Sequence, residues 1–142
     1  MKALKIVGIV VLLYVGLVVG FESLLGYFQP SGDTTLVITT FDPDGTSQPR
    51  VVSQIDSDGQ LYVAANHWPR AWYQRALENP NVRVAIGGQT RDHVAVPVTG
   101  VEHERVAAAR PLGPIFRVLT GFPPRYFLRL DPREAGRDQL TE

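Results

Sequence analysis

The chain of 142 residues contains no cysteine. Disulfides, thiolate metal sites and cysteine nucleophiles are therefore excluded. His67, His93 and His103 are scattered, with no HExxH-type pair, so a zinc site is not expected. Lysine stops at Lys5, and every later cation is arginine or histidine. Arginine suits fixed, bidentate grips on phosphate and carboxylate, although codon usage explains the bias equally simply. The formal net charge is zero. That leaves no cationic excess to neutralise a phosphate backbone, so nucleic acid is not an expected partner. Neither a Ser-His-Asp arrangement nor a carboxylate pair suggests hydrolysis.

What is abundant is apolar residue at the N-terminus. Ile6 to Phe21 is uncharged throughout, Glu22 interrupts it, and Leu24, Leu25, Tyr27 and Phe28 extend it. With Ala3 and Leu4 the run reaches the roughly 20 residues that cross a bilayer core. In lipid such a segment must be helical, and Tyr27 and Phe28 fall where an interfacial aromatic belt sits. Residues 1–28 are thus expected to be a membrane anchor contacting lipid through residues 3–28. A cleaved signal, with Lys2 and Lys5 as its n-region, and a buried core helix are the alternatives. Positive charge before the span and acids after it place the N-terminus inside and the rest outside.

Residues 29–33 read as a linker of turn formers. Five strands and two helices then follow before a last strand. Thr34 to Phe41, Arg50 to Asp56, Gln60 to Ala65, Asn81 to Ile86, Gln89 to Thr99 and Arg125 to Leu130 are rich in β-branched residues or alternate with period two. Asp58-Gly59 and Gly87-Gly88 are hairpin turns. Arg70 to Glu78 has helical spacing and ends at Asn79-Pro80. Glu102 to Arg110 is a second short helix with its acid first and its arginine last. Pro111 to Pro124 is irregular and apolar, with room for a short helix over Ile115 to Leu119. The tail, 133–142, is charged and expected to be disordered. Strands linked by hairpins at this spacing predict an antiparallel barrel over 34–132, mainly β with α+β character.

The motifs Thr35-Leu36-Val37-Ile38-Thr39-Thr40, Gln48-Pro49-Arg50-Val51-Val52, Asp58-Gly59-Gln60-Leu61-Tyr62-Val63-Ala64-Ala65 and Trp72-Tyr73 running to Asn79-Pro80-Asn81-Val82-Arg83-Val84 form a recognisable series, closed by Asp131-Pro132. The series resembles the deazaflavin (F420)-dependent nitroreductase family, within the pyridoxamine-phosphate-oxidase-like split β-barrel class. The resemblance implies a six-stranded split barrel, often dimeric. It implies coenzyme F420 or FMN in a groove beside the third strand, and hydride transfer to a small hydrophobic acceptor such as a quinone or nitro compound. One departure is plain: the longer loop with glycine and lysine that precedes the Trp-Tyr helix in the family is here only Asn66-His67-Trp68-Pro69-Arg70.

Asn66, His67, Trp68 and Arg70 are the most chemical cluster in the chain. A helix start, a guanidinium and an indole suit a planar anionic ligand; a capped helix start with Trp68 as a core plug is the plainer reading. His67 is the one candidate general acid. The family pattern implies that a residue at Arg50 approaches the cofactor phosphate, with a plain surface arginine as the alternative; Thr39, Thr40 and Ser53 could donate to ring carbonyls, although β-propensity alone explains the threonines, and Ala65 ends the strand beside the groove. Trp72 and Tyr73 cover the barrel from the helix, as site or as core, and Arg125 and Tyr126 are weaker candidates. Two functions compete: a membrane-tethered oxidoreductase, and a non-catalytic split barrel that binds another ligand, such as haem, or serves a membrane complex.

Overall fold

The computed structural model describes residues 1–27, 34–66 and 71–134. The linker expected at 29–33 and most of the expected disordered tail lie outside that range. So do His67, Trp68 and Arg70. The tail's first residue is held: Arg133 donates its backbone N–H to Asp92 and its guanidinium to Asn81.

Helix α1 (Lys2–Tyr27) is followed by strands β1 (Thr35–Phe41), β2 (Ser47–Ser57) and β3 (Gln60–Ala65). Helix α2 (Ala71–Glu78), strands β4 (Asn81–Ile86) and β5 (Gln89–Pro97), helices α3 (Gly100–Ala109) and α4 (Pro114–Leu119), and strand β6 (Tyr126–Pro132) complete the chain. The strands close into one barrel in the order β1-β2-β3-β6-β5-β4, and every neighbouring pair is antiparallel. The barrel carries three helices rather than two, because the irregular segment forms α4. Pro114 opens that helix with a preset φ and no N–H to lose. Both hairpins are built as their residues require: Asp58 and Gly59 have φ of 54° and 72°, and Gly87 and Gly88 of 55° and 80°. These positive values twist the turn in the sense of the strands.

Alternation along each strand sorts side chains to two faces. Leu36, Ile38, Val52, Val63, Ala65, Val82, Val84, Ala95, Leu128 and Leu130 fill the barrel interior, joined from α2 by Trp72, Tyr73 and Ala76. A second cluster lies outside the wall, where Ile55, Tyr62 and Phe127 meet Val98 and Val106 under α3. The β3–β6 pair is therefore apolar on both faces.

Polar contacts fix the two covering helices. From α2, Arg75 donates to buried Thr40 (3.0 Å) and stands 3.8 Å from Asp42. From α3, Glu102 accepts from the Tyr62 hydroxyl (2.8 Å) and from Arg129 (3.0 and 3.2 Å), while Arg105 pairs with Asp58. The Arg129 and Tyr62 hydrogen bonds hold the Glu102 carboxyl below its ordinary pKa. Burial, and then that same carboxylate, push the Tyr62 phenol up.

Helix α1 is exposed over most of its surface, and Lys2–Leu25 is long and apolar enough to cross a membrane. It touches the rest of the chain on one stripe. Tyr14 donates to the Val118 carbonyl (2.8 Å), Phe21 meets Phe116 edge-on (6.0 Å), and Val18 lies against Gly121.

Candidate functional site

Among the described residues, several sequence-derived candidates border the end of β3. The β2–β3 ladder runs only from Ser57↔Gln60 to Gln54↔Val63. Beyond it β2 follows β1, and Ala64 and Ala65 pair with Phe127 and Tyr126 of β6. This divergence makes the split of the barrel. Arg50 and Ser53 lie on its β2 side, Ala65 and Asn66 on its β3 side.

Register divides these residues between two faces. Arg50 stands opposite Ile38, which is fully buried in the interior, and Ser53 stands opposite Thr35 on the outer face. Arg50 and Ser53 therefore point to opposite faces and do not line one surface. Ala65 is inward and buried. Trp72 and Tyr73 sit in the interior cluster with their rings edge-on (6.0 Å), and Tyr73 stacks on the half-exposed Tyr126 at 5.3 Å and 20°. The two tyrosines form an aromatic ledge at the barrel mouth. Thr40 is occupied by Arg75 and by the Gln48 carbonyl, so it serves α2 rather than a ligand.

Arg125 is where the structure adds most. Its Nε donates to Asn66 Oδ1 (2.9 Å) and its Nη1 reaches the Ala107 carbonyl (3.4 Å). The guanidinium lies 4.8 Å over the Phe127 ring. Its Nη2 is buried with no acceptor among the described residues. Burial, and secondarily the charge of Arg117, push the Arg125 pKa below its ordinary value. No carboxylate is paired with it among the described residues. Its carbonyl accepts from His103 Nε2 at 3.0 Å, and the His103 ring meets Phe127 edge-on at 5.0 Å. A half-buried cation with one buried, unused donor is completed by an acceptor at that donor. It favours a phosphate or carboxylate at this position. Sequence reasoning ranked Arg125 low because its neighbours Asn66, His103 and Ala107 are distant in the chain; only the β3–β6 pairing and α3 bring them together.

Another recess, of about 420 Å³, is lined by Phe41, Asp42, Pro43, Gly45, Glu78 and Asn79. It lies at the far end of α2 from Asn66, and its two carboxylates oppose a phosphate. Among the described residues no cluster of acids and histidines could hold a metal ion.

A closed six-stranded antiparallel barrel, split beside β3, defines a protein of the split β-barrel class. Three solved structures are similar at the level of fold. HutZ, the heme storage protein from Vibrio cholerae, matches with a TM-score of 0.54 and 19% identity, over 82% of this chain and 87% of that one. A putative pyridoxamine 5'-phosphate oxidase from Listeria innocua matches with a TM-score of 0.51 and 13% identity, over 71% and 85%. An F420-H2 dependent reductase (FDR-A) matches with a TM-score of 0.50 and 19% identity, over 67% and 93%. No curated protein matches the sequence. The model of the F420H(2)-dependent quinone reductase family matches residues 16–111, and the chain belongs to that family. It is accordingly a deazaflavin-dependent oxidoreductase.

Proposed function

We propose that the protein is a membrane-tethered oxidoreductase that passes a hydride from reduced F420 to a lipophilic acceptor of the quinone or nitroaromatic type. The observation that carries this reading is the buried, unused Nη2 of Arg125 at the split beside β3, in a chain of the F420 family. When bound, the cofactor supplies the hydride; the protein supplies binding, orientation and water exclusion.

Arg125 grips an anionic group of the cofactor, held in place by Asn66 and by its seat on Phe127. Arg50, opposite Ile38 on the interior face, is a second candidate cation on the other side of the wall from Arg125. On the interior side of the same wall, the Tyr73–Tyr126 ledge offers a flat face to a ring system. The outer wall under α3 keeps water away from the floor of the seat, since Tyr62 and Phe127 are fully buried there. The roles proposed for His67, Trp68 and Arg70 beside the ligand rest on the sequence alone, since these residues lie outside the described range. The exposed apolar surface of α1 supports the tether, which keeps the seat close to acceptors dissolved in lipid. A second copy covering part of the barrel is the expected partner, as the class is often dimeric.

Titration of the full chain in detergent with F420 and with FMN tests the reading. F420 binds, FMN binds more weakly, and Arg125→Gln lowers F420 affinity by about tenfold, the scale of one charge-assisted hydrogen bond. Preference for FMN, or an unchanged F420 affinity in Arg125→Gln, overturns the cofactor assignment.

A further inference from the structure

The segment around α4 is not used by the oxidoreductase reading, and three of its features suit a lipid environment. First, its side chains face outward although they are apolar: Ile115 is 75% exposed, Phe122 58% and Val118 43%. Second, the carbonyls of Phe116, Arg117 and Val118 all have partners. The Phe116 carbonyl accepts from the Thr120 N–H and hydroxyl, and the Arg117 carbonyl from the Phe122 N–H and the Thr120 hydroxyl. The Val118 carbonyl accepts from the Gly121 N–H and, across the helix pair, from the Tyr14 hydroxyl. This closure through left-handed Gly121 is a common helix C-cap, and it leaves these three carbonyls with no need of water, as an element in lipid requires. Third, the segment is cationic, with no acid between Glu104 and Asp131 and with Arg110 and Arg117 exposed.

The position of α4 says what covers it. Its contacts with α1 run from Tyr14 to Phe21, a rise of about 10 Å along that helix. They lie in the second half of the run that crosses lipid. The acid of α1, Glu22, is buried, so the exposed surface of the helix beyond Lys5 is uncharged. If α1 passes through a leaflet, α4 lies within the same leaflet. We propose that α4 and its flanking turn, from Pro111 to Pro124, are immersed in the leaflet beside the C-terminal half of α1. Ile115, Val118 and Phe122 contact acyl chains, and Arg110 and Arg117 reach anionic headgroups. Arg117 lies 5.7 Å over the Phe122 ring, which lets its apolar stem follow the ring and its charge rise to the interface. The chain enters β6 directly after this segment, so Arg125 and the barrel end beside it lie close to the bilayer surface. This inference rests on the tether reading given above.

The absence of cysteine allows a clean test. Single replacements Leu12→Cys, Ile115→Cys, Phe122→Cys and Gln89→Cys are made in the full chain, labelled with an NBD fluorophore and reconstituted in phosphatidylcholine–phosphatidylglycerol vesicles. Gln89 begins β5 at the barrel end away from β6's first residues. The expected result is loss of fluorescence to nitroxide-labelled acyl chains, with protection from aqueous iodide, at 12, 115 and 122, and the reverse at 89. Lipid quenching at 12 with iodide quenching at 115 and 122 overturns the immersion of α4 and leaves the tether standing. No lipid quenching at 12 removes the tether reading, and the immersion falls with it. Protection of 115 and 122 from both quenchers means that protein covers them, which also overturns the proposal.

Discussion

At the residue scale, function and stability depend on a few side chains whose partners are remote in sequence. Glu102 ties α3 to the outer wall through Tyr62 and Arg129. Its folded carboxyl is held below the unfolded value, so its contribution is complete above that unfolded value and is lost as pH falls through the folded one. Glu102→Gln should therefore flatten the acid limb of a pH–stability profile. At neutral pH it should cost about 1 kcal/mol, because the group is partly exposed and its charge is screened; denaturant melts at pH 7 and in mild acid measure both. Gly59 makes a backbone demand of a different kind. Its φ of 72° is one that side chains rarely adopt, so Gly59→Ala should lower stability by about 1 kcal/mol with no loss of contacts. A thermal melt with unchanged cofactor affinity is the expected pair of readings.

At the element scale, most boundaries follow from local chemistry. Strand β3 and strand β4 occupy the residues that their alternation and turns predict, Gln60–Ala65 and Asn81–Ile86. Others shift: β2 extends back to Ser47 because β1 pairs with it as far as Phe41↔Ser47, despite Pro49, and β5 ends at Pro97 once its partner β6 has passed Leu128. The α1–α4 contact is the element pair with least sequence signal, being made of one hydroxyl, two rings and a glycine. Gly121 has φ of 70°, and a Cβ there would stand 3.0 Å from Val18. Gly121→Ala should loosen α4 from α1, both by strain and by contact, and make the 111–124 segment more susceptible to limited proteolysis while the barrel core stays protected.

At the scale of the whole molecule, the barrel has one interior and one covered outer wall, joined through β3 and β6. Leu128 belongs to the interior and Phe127, its neighbour, to the wall, and neither is exposed. Leu128→Ala should cost about 3 kcal/mol, read as a lower denaturation midpoint with unchanged slope. The tether adds a further expectation: the full chain should stay with membranes through an alkaline carbonate wash and leave them in detergent. Release by the wash would assign α1 to a role other than spanning.

The amino-acid sequence by itself determined the class of fold. Turn residues, β-branched alternation and the Asn79-Pro80 stop act locally, within a few bonds, and together they dictate strand order along the chain. It also determined the apolar character of α1, since that needs only composition. Tertiary structure decided the site. Arg50 and Ser53 look like neighbours in sequence, yet a period of two places them on opposite faces. Arg125 looks unremarkable until β6 pairs with β3 and α3 closes over it, leaving a half-buried guanidinium with a donor to spare. Face and burial depend on which strand lies opposite and what covers it, and those are properties of closure that no short stretch of chain carries.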